Sequence, residues 1–162
     1  MRWSMIELQP PAETGNGEEP RVFLAGSIEM GSAPNWQSRA INALSAVSRL
    51  VVLNPRRDDW DASWEQSARH EPFRSQVTWE LDGIESADLV LFYFAPGTRA
   101  PITLLELGLC AGQRPILVCC PEGFWRKGNV DIVCERFGIE RFESLEALLQ
   151  TATERLLDAE TH

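Results

Sequence analysis

The sequence has 162 residues, of which 44% are hydrophobic and 24% are charged. This length and composition favour one globular domain with a single sizeable core. The formal net charge of −9 argues against a nucleic-acid polymer as partner, because phosphate backbones are bound by basic surfaces. No apolar stretch reaches the ~20 residues of a membrane span, so we expect no membrane partner either.

The cysteines and the first residues bear on the compartment. The four cysteines (Cys110, Cys119, Cys120 and Cys134) form no C-x-x-C pair, and the histidines add no metal-ligand spacing, so we expect no metal site. Three of them lie in apolar runs and are interpreted as reduced core residues. Because the first residues also lack the pattern of a secretory signal, we expect a cytoplasmic protein.

The predicted elements begin after a polar segment. Residues 1–19 are rich in proline, glycine and glutamate, and we interpret them as a flexible N-terminal extension ahead of a domain over residues 20–162. Short apolar runs predict strands over residues 22–25, 50–53, 88–94, 115–120 and 139–142. Helical spacing predicts helices over residues 35–48, 72–86, 101–112, 130–137 and 144–157.

Apolar strands that alternate with helices indicate a parallel sheet covered on both faces. The sequence therefore predicts an α/β fold, a flavodoxin-like three-layer sandwich with a five-stranded parallel sheet. Ligands of such folds bind at the carboxyl ends of the strands. We expect the site to be formed by the loops that follow residues 25, 53, 94 and 120.

The predicted helix over residues 101–112 contains one conspicuous acid. Apolar residues occupy every side of this helix, so we expect it to be largely buried, and Glu106 is its only ionisable group apart from a cysteine. A buried carboxylate without a partner is costly or has a strongly raised pKa. Glu106 is therefore either a functional carboxylate or a core glutamate with an ordinary partner. Thr103, one turn earlier, is placed to hydrogen-bond it.

The preceding helix adds a second acid. One stripe of this helix is apolar and consists of Phe73, Val77, Leu81 and Ile84. At 100° per residue, Glu80 lies on the same side of the helix. Two inward carboxylates favour glycosyl transfer, in which one attacks the anomeric carbon and a second group protonates the leaving base. The alternative is that Glu80 reaches past the stripe to water or to an arginine.

Small and polar side chains follow the first two predicted strands. Gly26 permits a ligand to approach the backbone and Ser27 is able to donate to sugar or phosphate oxygens, although both also suit a tight turn. Asn54, Arg57 and Asp58 open the loop after the second strand. Their side chains are suited to reading a base edge, and the alternative is a solvated surface loop.

Two further residues have one structural and one functional interpretation each. Phe73 either stacks on a nucleobase or fills the core. Asn129 either caps the helix that follows it or reaches the site. Composition and periodicity do not separate the two interpretations for either residue.

Six short segments carry a resemblance to a known family, namely Phe23–Ser27, Asn54–Asp58, Gln76–Glu80, Ala87–Asp88, Thr103–Gly108 and Arg126–Asp131. In their order and spacing they resemble nucleoside 2-deoxyribosyltransferases, in the divergent branch called deoxyribosyltransferase-like. The resemblance covers residues from about 21 to 150.

The resemblance implies roles for several residues. It implies that Glu106 is the nucleophile and that Glu80 helps to place the substrate. It also implies that Asn129 enters the active site of a neighbouring subunit, which would make the protein a homo-oligomer, and Asp131 of the same segment is placed with the substrate-binding residues. The transferases carry an acid six residues before the nucleophile. This sequence has Ala100 there, which leaves the proton donor for the leaving base open.

Three functions follow from the resemblance and the residues. The first is a transferase that moves 2-deoxyribose between nucleobases through a Glu106 adduct, with deoxynucleoside and free base as partners and no cofactor. The second is a hydrolase of 2'-deoxynucleoside 5'-monophosphates, whose phosphate would bind Ser27, Arg56, Arg57 and the start of the helix at Pro101. The third is a catalytically weak nucleotide-binding or sensing module.

Overall fold

The computed structural model describes residues 4–15 and 18–161. Its strands are β1 (Ile6–Leu8), β2 (Arg21–Gly26), β3 (Val51–Leu53), β4 (Leu89–Tyr93), β5 (Ile116–Cys119) and β6 (Arg141–Phe142). Its helices are α1 (Trp36–Leu44), α2 (Glu71–Ser86), α3 (Pro101–Cys110), α4 (Lys127–Phe137) and α5 (Leu145–Glu160). A 3-10 turn, Glu29–Gly31, follows β2.

The strands form one parallel sheet in the order β1-β3-β2-β4-β5-β6. Without β1, this is the strand order of flavodoxin-like sheets. The predicted α/β fold with a parallel sheet is therefore confirmed. The order reverses direction at β2, so the crevice outside the carboxyl ends of β2 and β4 is where such folds bind their ligands.

The sheet has six strands, so the prediction of five is wrong. The additional strand, β1, pairs with β3 at the edge of the sheet, where Ile6 N donates to Leu50 O at 2.8 Å and Asn54 N donates to Leu8 O at 2.9 Å. The interpretation of residues 1–19 as a flexible extension is thus wrong for β1. Residues 1–3, 16 and 17 of that segment lie outside the described residues.

Helices cover both faces of the sheet. One core lies under α2, α3 and α4 and includes Trp79, Leu107 and Cys134. The other lies under α1 and α5 and includes Leu44 and Leu148. Glu80 and Glu106 are carried by α2 and α3, so both belong to the same face.

The expectation that α3 is largely buried is wrong. Thr103, Glu106, Leu107 and Cys110 form its buried face. Its outer face is apolar and exposed, and consists of Ile102, Leu105 and Leu109, with Leu105 61% exposed. Within the described ranges, none of the helices has the length and apolarity that a membrane crossing requires.

Candidate active site

Glu106 lies on the buried face of α3, in its second turn. The helix begins at Pro101, a residue suited to a first helical position because its missing N–H has no partner there in any case. Glu106 is only 7% exposed. Within residues 4–15 and 18–161, no arginine, lysine or histidine forms an ion pair with Glu106. The carboxyl is therefore buried without the cation that an ordinary core glutamate would have.

Glu80 lies on α2 and is partly buried. Its Oε1 accepts a hydrogen bond from Gln76 Nε2, one turn earlier, at 3.2 Å. Gln76 is itself buried, and its Nε2 also donates to Pro55 O at 3.2 Å. The glutamine thus fixes Glu80 against the loop that follows β3. Sequence reasoning missed Gln76 as a site residue, although its i,i+4 spacing to Glu80 is a signal for such a pair.

The two carboxyl groups interact through their charges. Burial raises the pKa of Glu80 to about 7, and the Gln76 hydrogen bond opposes this rise. Burial also raises the pKa of Glu106 well above 4.5, and the negative charge of Glu80 raises it further. Like charges at short range resist simultaneous ionisation, so the pair retains a proton near neutral pH.

The buried face of α2 differs in phase from the predicted stripe. It consists of Gln76, Trp79, Gly83 and Ile84, whereas Leu81 is 40% exposed. A Cβ at Gly83 would come within 2.9 Å of the Phe23 ring, so this glycine lets α2 approach β2 closely. Glu80 lies between Gln76 and Gly83 on that face and is thereby held near the sheet.

Gly26 and Ser27 take part in packing at the end of β2. A Cβ at Gly26 would lie 2.3 Å from the Trp36 ring, so the open side of this glycine is filled by tryptophan. Ser27 is fully buried, with its Oγ 2.7 Å from Thr98 Oγ1 and accepting from Ala95 N at 3.0 Å. Both residues are thus packed into the turn after β2, and a ligand contact of either one stays a prediction.

The loop after β3 is held by its own polar residues. Asn54 is buried, donates from Nδ2 to Glu7 Oε2 at 2.8 Å, and accepts from Arg56 N at 3.0 Å. Arg57 pairs with Asp59 at 2.6 Å, which raises the pKa of the guanidinium. Asp58 is exposed. Of the three residues predicted here, Asn54 ties β1 to β3, and Arg57 turns towards Asp59.

Aromatic rings gather beside this loop. Trp60 and Trp64 meet edge to face at 4.9 Å between centroids, and the Arg57 guanidinium lies 5.4 Å from the Trp64 ring. Phe73 is half-buried in the first turn of α2.

Thr103 is buried one turn before Glu106.

Asn129 and Asp131 lie on α4. Because α4 begins at Lys127, Asn129 is inside the helix and does not cap it. Asn129 is exposed and is therefore available to a neighbouring molecule. Asp131 instead forms ion pairs with Lys127 at 3.3 Å and Arg141 at 3.4 Å, so its carboxylate joins α4 to β6.

Two clefts of the protein lie away from the carboxyl pair. A cleft of about 450 Å³ lies between residues 11–15 and the outer side of α2, and another of about 450 Å³ lies between α1 and α5. Neither is lined by Glu80 or Glu106. The carboxyl pair is therefore the candidate site, because it combines burial, like charge and raised pKa. Within the described residues, no cluster of histidine, cysteine, aspartate and glutamate is suited to a metal ion.

Comparison with known proteins identifies the family. Residues 19–124, more than half of the chain, match the family model described as nucleoside 2-deoxyribosyltransferase like. The chain belongs to this family. In this nucleoside 2-deoxyribosyltransferase-like protein, the match to the family model includes Glu80 and Glu106. The match ends before Asn129 and Asp131.

A solved structure shares the fold of this family member. A conserved protein from Enterococcus faecalis V583 superposes with a TM-score of 0.60 at 10% sequence identity, covering 85% of this chain and 99% of that one. At this identity the likeness concerns the fold alone. No curated protein matches the sequence.

Proposed function

We propose that the protein cleaves the N-glycosidic bond of 2'-deoxynucleosides and transfers the deoxyribosyl group to a second nucleobase through a covalent adduct on Glu106. One observation carries this proposal: the buried Glu106 and the partly buried Glu80 lie on the same face of the sheet, and the pKa of both is raised. Such a pair holds one proton and one negative charge, the two requirements of a double displacement at an anomeric carbon.

The first half of the reaction forms the adduct. The Glu106 carboxylate bonds to C1' as the bond between C1' and the base nitrogen breaks. The electron pair of that bond goes to the base, which takes a proton from Glu80. In the second half, the nitrogen of an incoming base bonds to C1', its proton passes to the Glu80 carboxylate, and the Glu106 ester bond breaks.

The proton on the pair has to reside on Glu80 when the adduct forms. Positive charge that develops at the sugar favours ionisation of the adjacent Glu106. The pKa of about 7 then lets Glu80 carry the proton at neutral pH. This assignment supplies the acid that the family places six residues before the nucleophile, where this chain has Ala100.

The electrostatic environment supports the same chemistry. A 2-deoxy sugar lacks the electron-withdrawing hydroxyl beside C1', so an oxocarbenium-like transition state is easier to reach. A carboxylate in a buried setting of low dielectric stabilises that charge more strongly than one in water. Glu106 has this setting because Leu107 and Cys110 are buried with it on α3.

We further propose that the protein acts as a homo-oligomer. The apolar outer face of α3 (Ile102, Leu105 and Leu109) and the exposed Ile132 of α4 are suited to burial against a second copy. The exposed Asn129 on α4 would then reach the partner's site. Mixing inactive Glu106→Gln and Asn129→Ala proteins is expected to restore activity, because a mixed dimer contains one site with both residues. No restoration would contradict shared sites.

We also propose a reducing compartment, the cytoplasm, since all four cysteines are free and buried.

Product analysis tests the proposed reaction. The protein is incubated with each common deoxynucleoside, with and without a second free base, and the products are separated by chromatography. We expect a new deoxynucleoside with the wild type and none with Glu106→Gln. Glu135→Gln, an exposed glutamate of α4, is the matched control and is expected to be as active as the wild type. Free base without a new nucleoside would indicate a hydrolase, and no turnover would contradict an enzymatic function.

A further inference from the structure

The start of α3 is occupied by a carboxylate from elsewhere in the chain. Glu29 Oε1 accepts hydrogen bonds from the backbone N–H of Arg99 at 3.0 Å and of Ala100 at 2.7 Å. Amides at a helix start have no intrahelical acceptor, and the helix dipole favours negative charge there. The protein therefore fills with its own carboxylate a position that would otherwise attract an external anion.

This contact is built into the fold. Glu29 and Ala100 both have left-handed backbone conformations, with φ of 50° and 43°. Non-glycine residues adopt this region at a cost, and keep it where the surroundings fix them there. The Arg56 guanidinium supplies such fixation, because it donates to Gly31 O at 3.0 Å and Ala33 O at 2.7 Å. The loop that carries Glu29 is thereby tied to the loop after β3.

The other groups suited to a phosphate are also engaged within the protein. Ser27 Oγ is bound to Thr98 and Ala95. Arg56 donates to backbone carbonyls, and Arg57 pairs with the Asp59 carboxylate. The four candidate phosphate ligands of the sequence thus have internal partners, and the start of α3 carries a negative charge.

We infer that Glu29 is a specificity-determining residue that restricts the enzyme to deoxynucleosides without a 5'-phosphate. This inference rests on the proposed function, which places C1' of the substrate at Glu106. A helix rises ~1.5 Å per residue, so Ala100, six residues before Glu106, lies roughly 9 Å from it along the axis, within the span of a nucleoside monophosphate. A phosphate at that end meets the Glu29 carboxylate and is repelled, whereas a 5'-hydroxyl is neutral and able to donate.

The test compares binding and turnover of matched ligands. The four common deoxynucleosides and their 5'-monophosphates are titrated by calorimetry and assayed with the wild type, Glu29→Gln and Glu29→Ala. Glu29→Gln keeps the acceptor for the two amides and removes only the charge, so it separates repulsion from misfolding. Glu122→Gln, an exposed glutamate after β5, is the charge-matched control.

We expect the wild type to prefer the nucleosides, and both Glu29 variants to gain at least about tenfold in relative affinity for the monophosphates, with no gain in the control. If the wild type turns over neither ligand class but shows this shift in binding, the inference stands and the proposed reaction fails. Equal or better binding of monophosphates by the wild type, an unchanged preference in both Glu29 variants, or no binding at all would overturn the inference.

Discussion

Gln76 and Glu80 are joined by a hydrogen bond of 3.2 Å across one turn of α2. The bond lowers the pKa of Glu80 against the larger rise caused by burial. Because Gln76 also donates to Pro55 O, the position of Glu80 depends on the loop after β3. This glutamine therefore helps to position the proposed acid and lowers its proton affinity.

Replacement of Gln76 by alanine tests this relationship. Loss of the hydrogen bond raises the pKa of Glu80 above about 7, because the bond favours the ionised form. The alkaline limb of the pH profile of kcat/KM is therefore expected to move to higher pH. Gln113→Ala changes an exposed glutamine and is expected to leave the profile in place. An unchanged alkaline limb in Gln76→Ala would show that Glu80 does not supply the proton.

Glu80→Gln is expected to lower kcat without abolishing turnover. Loss of a general acid typically costs about 10²–10⁴-fold. Removal of the Glu80 charge also lowers the pKa of Glu106, so the acid limb of kcat/KM should shift to lower pH. Glu85→Gln replaces an exposed glutamate of α2 and serves as the matched control. Wild-type rates in Glu80→Gln would make Glu80 a structural residue.

Stability should fall as the pH rises through the raised pKa of the carboxyl pair. Both groups release protons more readily in the unfolded chain, near pH 4.5, than in the folded protein, where the pKa of Glu80 is about 7. The stabilisation by the protonated groups is thus complete below pH 4.5. For Glu80 it is lost progressively as the pH rises from 4.5 to about 7. Glu106→Gln removes one of these ionisations, so its free energy of unfolding should depend less on pH than that of the wild type. Between about pH 5 and about pH 8, the stability of Glu106→Gln relative to the wild type should rise by about 1 kcal/mol or more. Denaturant titrations at both pH values measure this change, and an equal effect at both would contradict it.

Gly83→Ala tests the close approach of α2 to β2. The added Cβ would lie 2.9 Å from the Phe23 ring, so α2 has to move away from the sheet. We expect a loss of about 1–3 kcal/mol of stability, together with reduced activity because Glu80 moves with the helix. Gly108→Ala on α3 is the control, since its Cβ meets no atom within 4 Å, and it should stabilise by about 0.5–1 kcal/mol. Similar melting temperatures for the two variants would contradict this role of Gly83.

The sequence predicts the central strands from their apolar runs and misses the edge strand β1. The apolar runs from Val22 to Ala25 and from Leu89 to Phe92 identify central strands, because both faces of such strands are buried. The three residues of β1 alternate around Glu7 at an edge, which is too short a pattern to detect. Hydrophobicity predicts the wrong phase for the buried face of α2, because that face contains Gln76 and Gly83.

The candidate site was predictable only in part for a related reason. Glu106 is conspicuous because it is an acid in an apolar helix, and that signal is local. Glu29 and Ala100 are in contact although they are 71 positions apart, and a contact between such distant residues leaves no local pattern in the sequence. The ion pair of Asp131 with Arg141 likewise depends on the packing of α4 against β6.

Direct detection of the adduct tests the central claim. The protein is mixed with a deoxynucleoside, quenched with acid within one turnover, and digested for peptide mass spectrometry. We predict that the peptide containing Glu106 gains the mass of one deoxyribosyl group, that fragmentation places the group on Glu106, and that Glu106→Gln shows no such gain. Turnover without any adduct on Glu106, or near wild-type turnover by Glu106→Gln, would contradict the account.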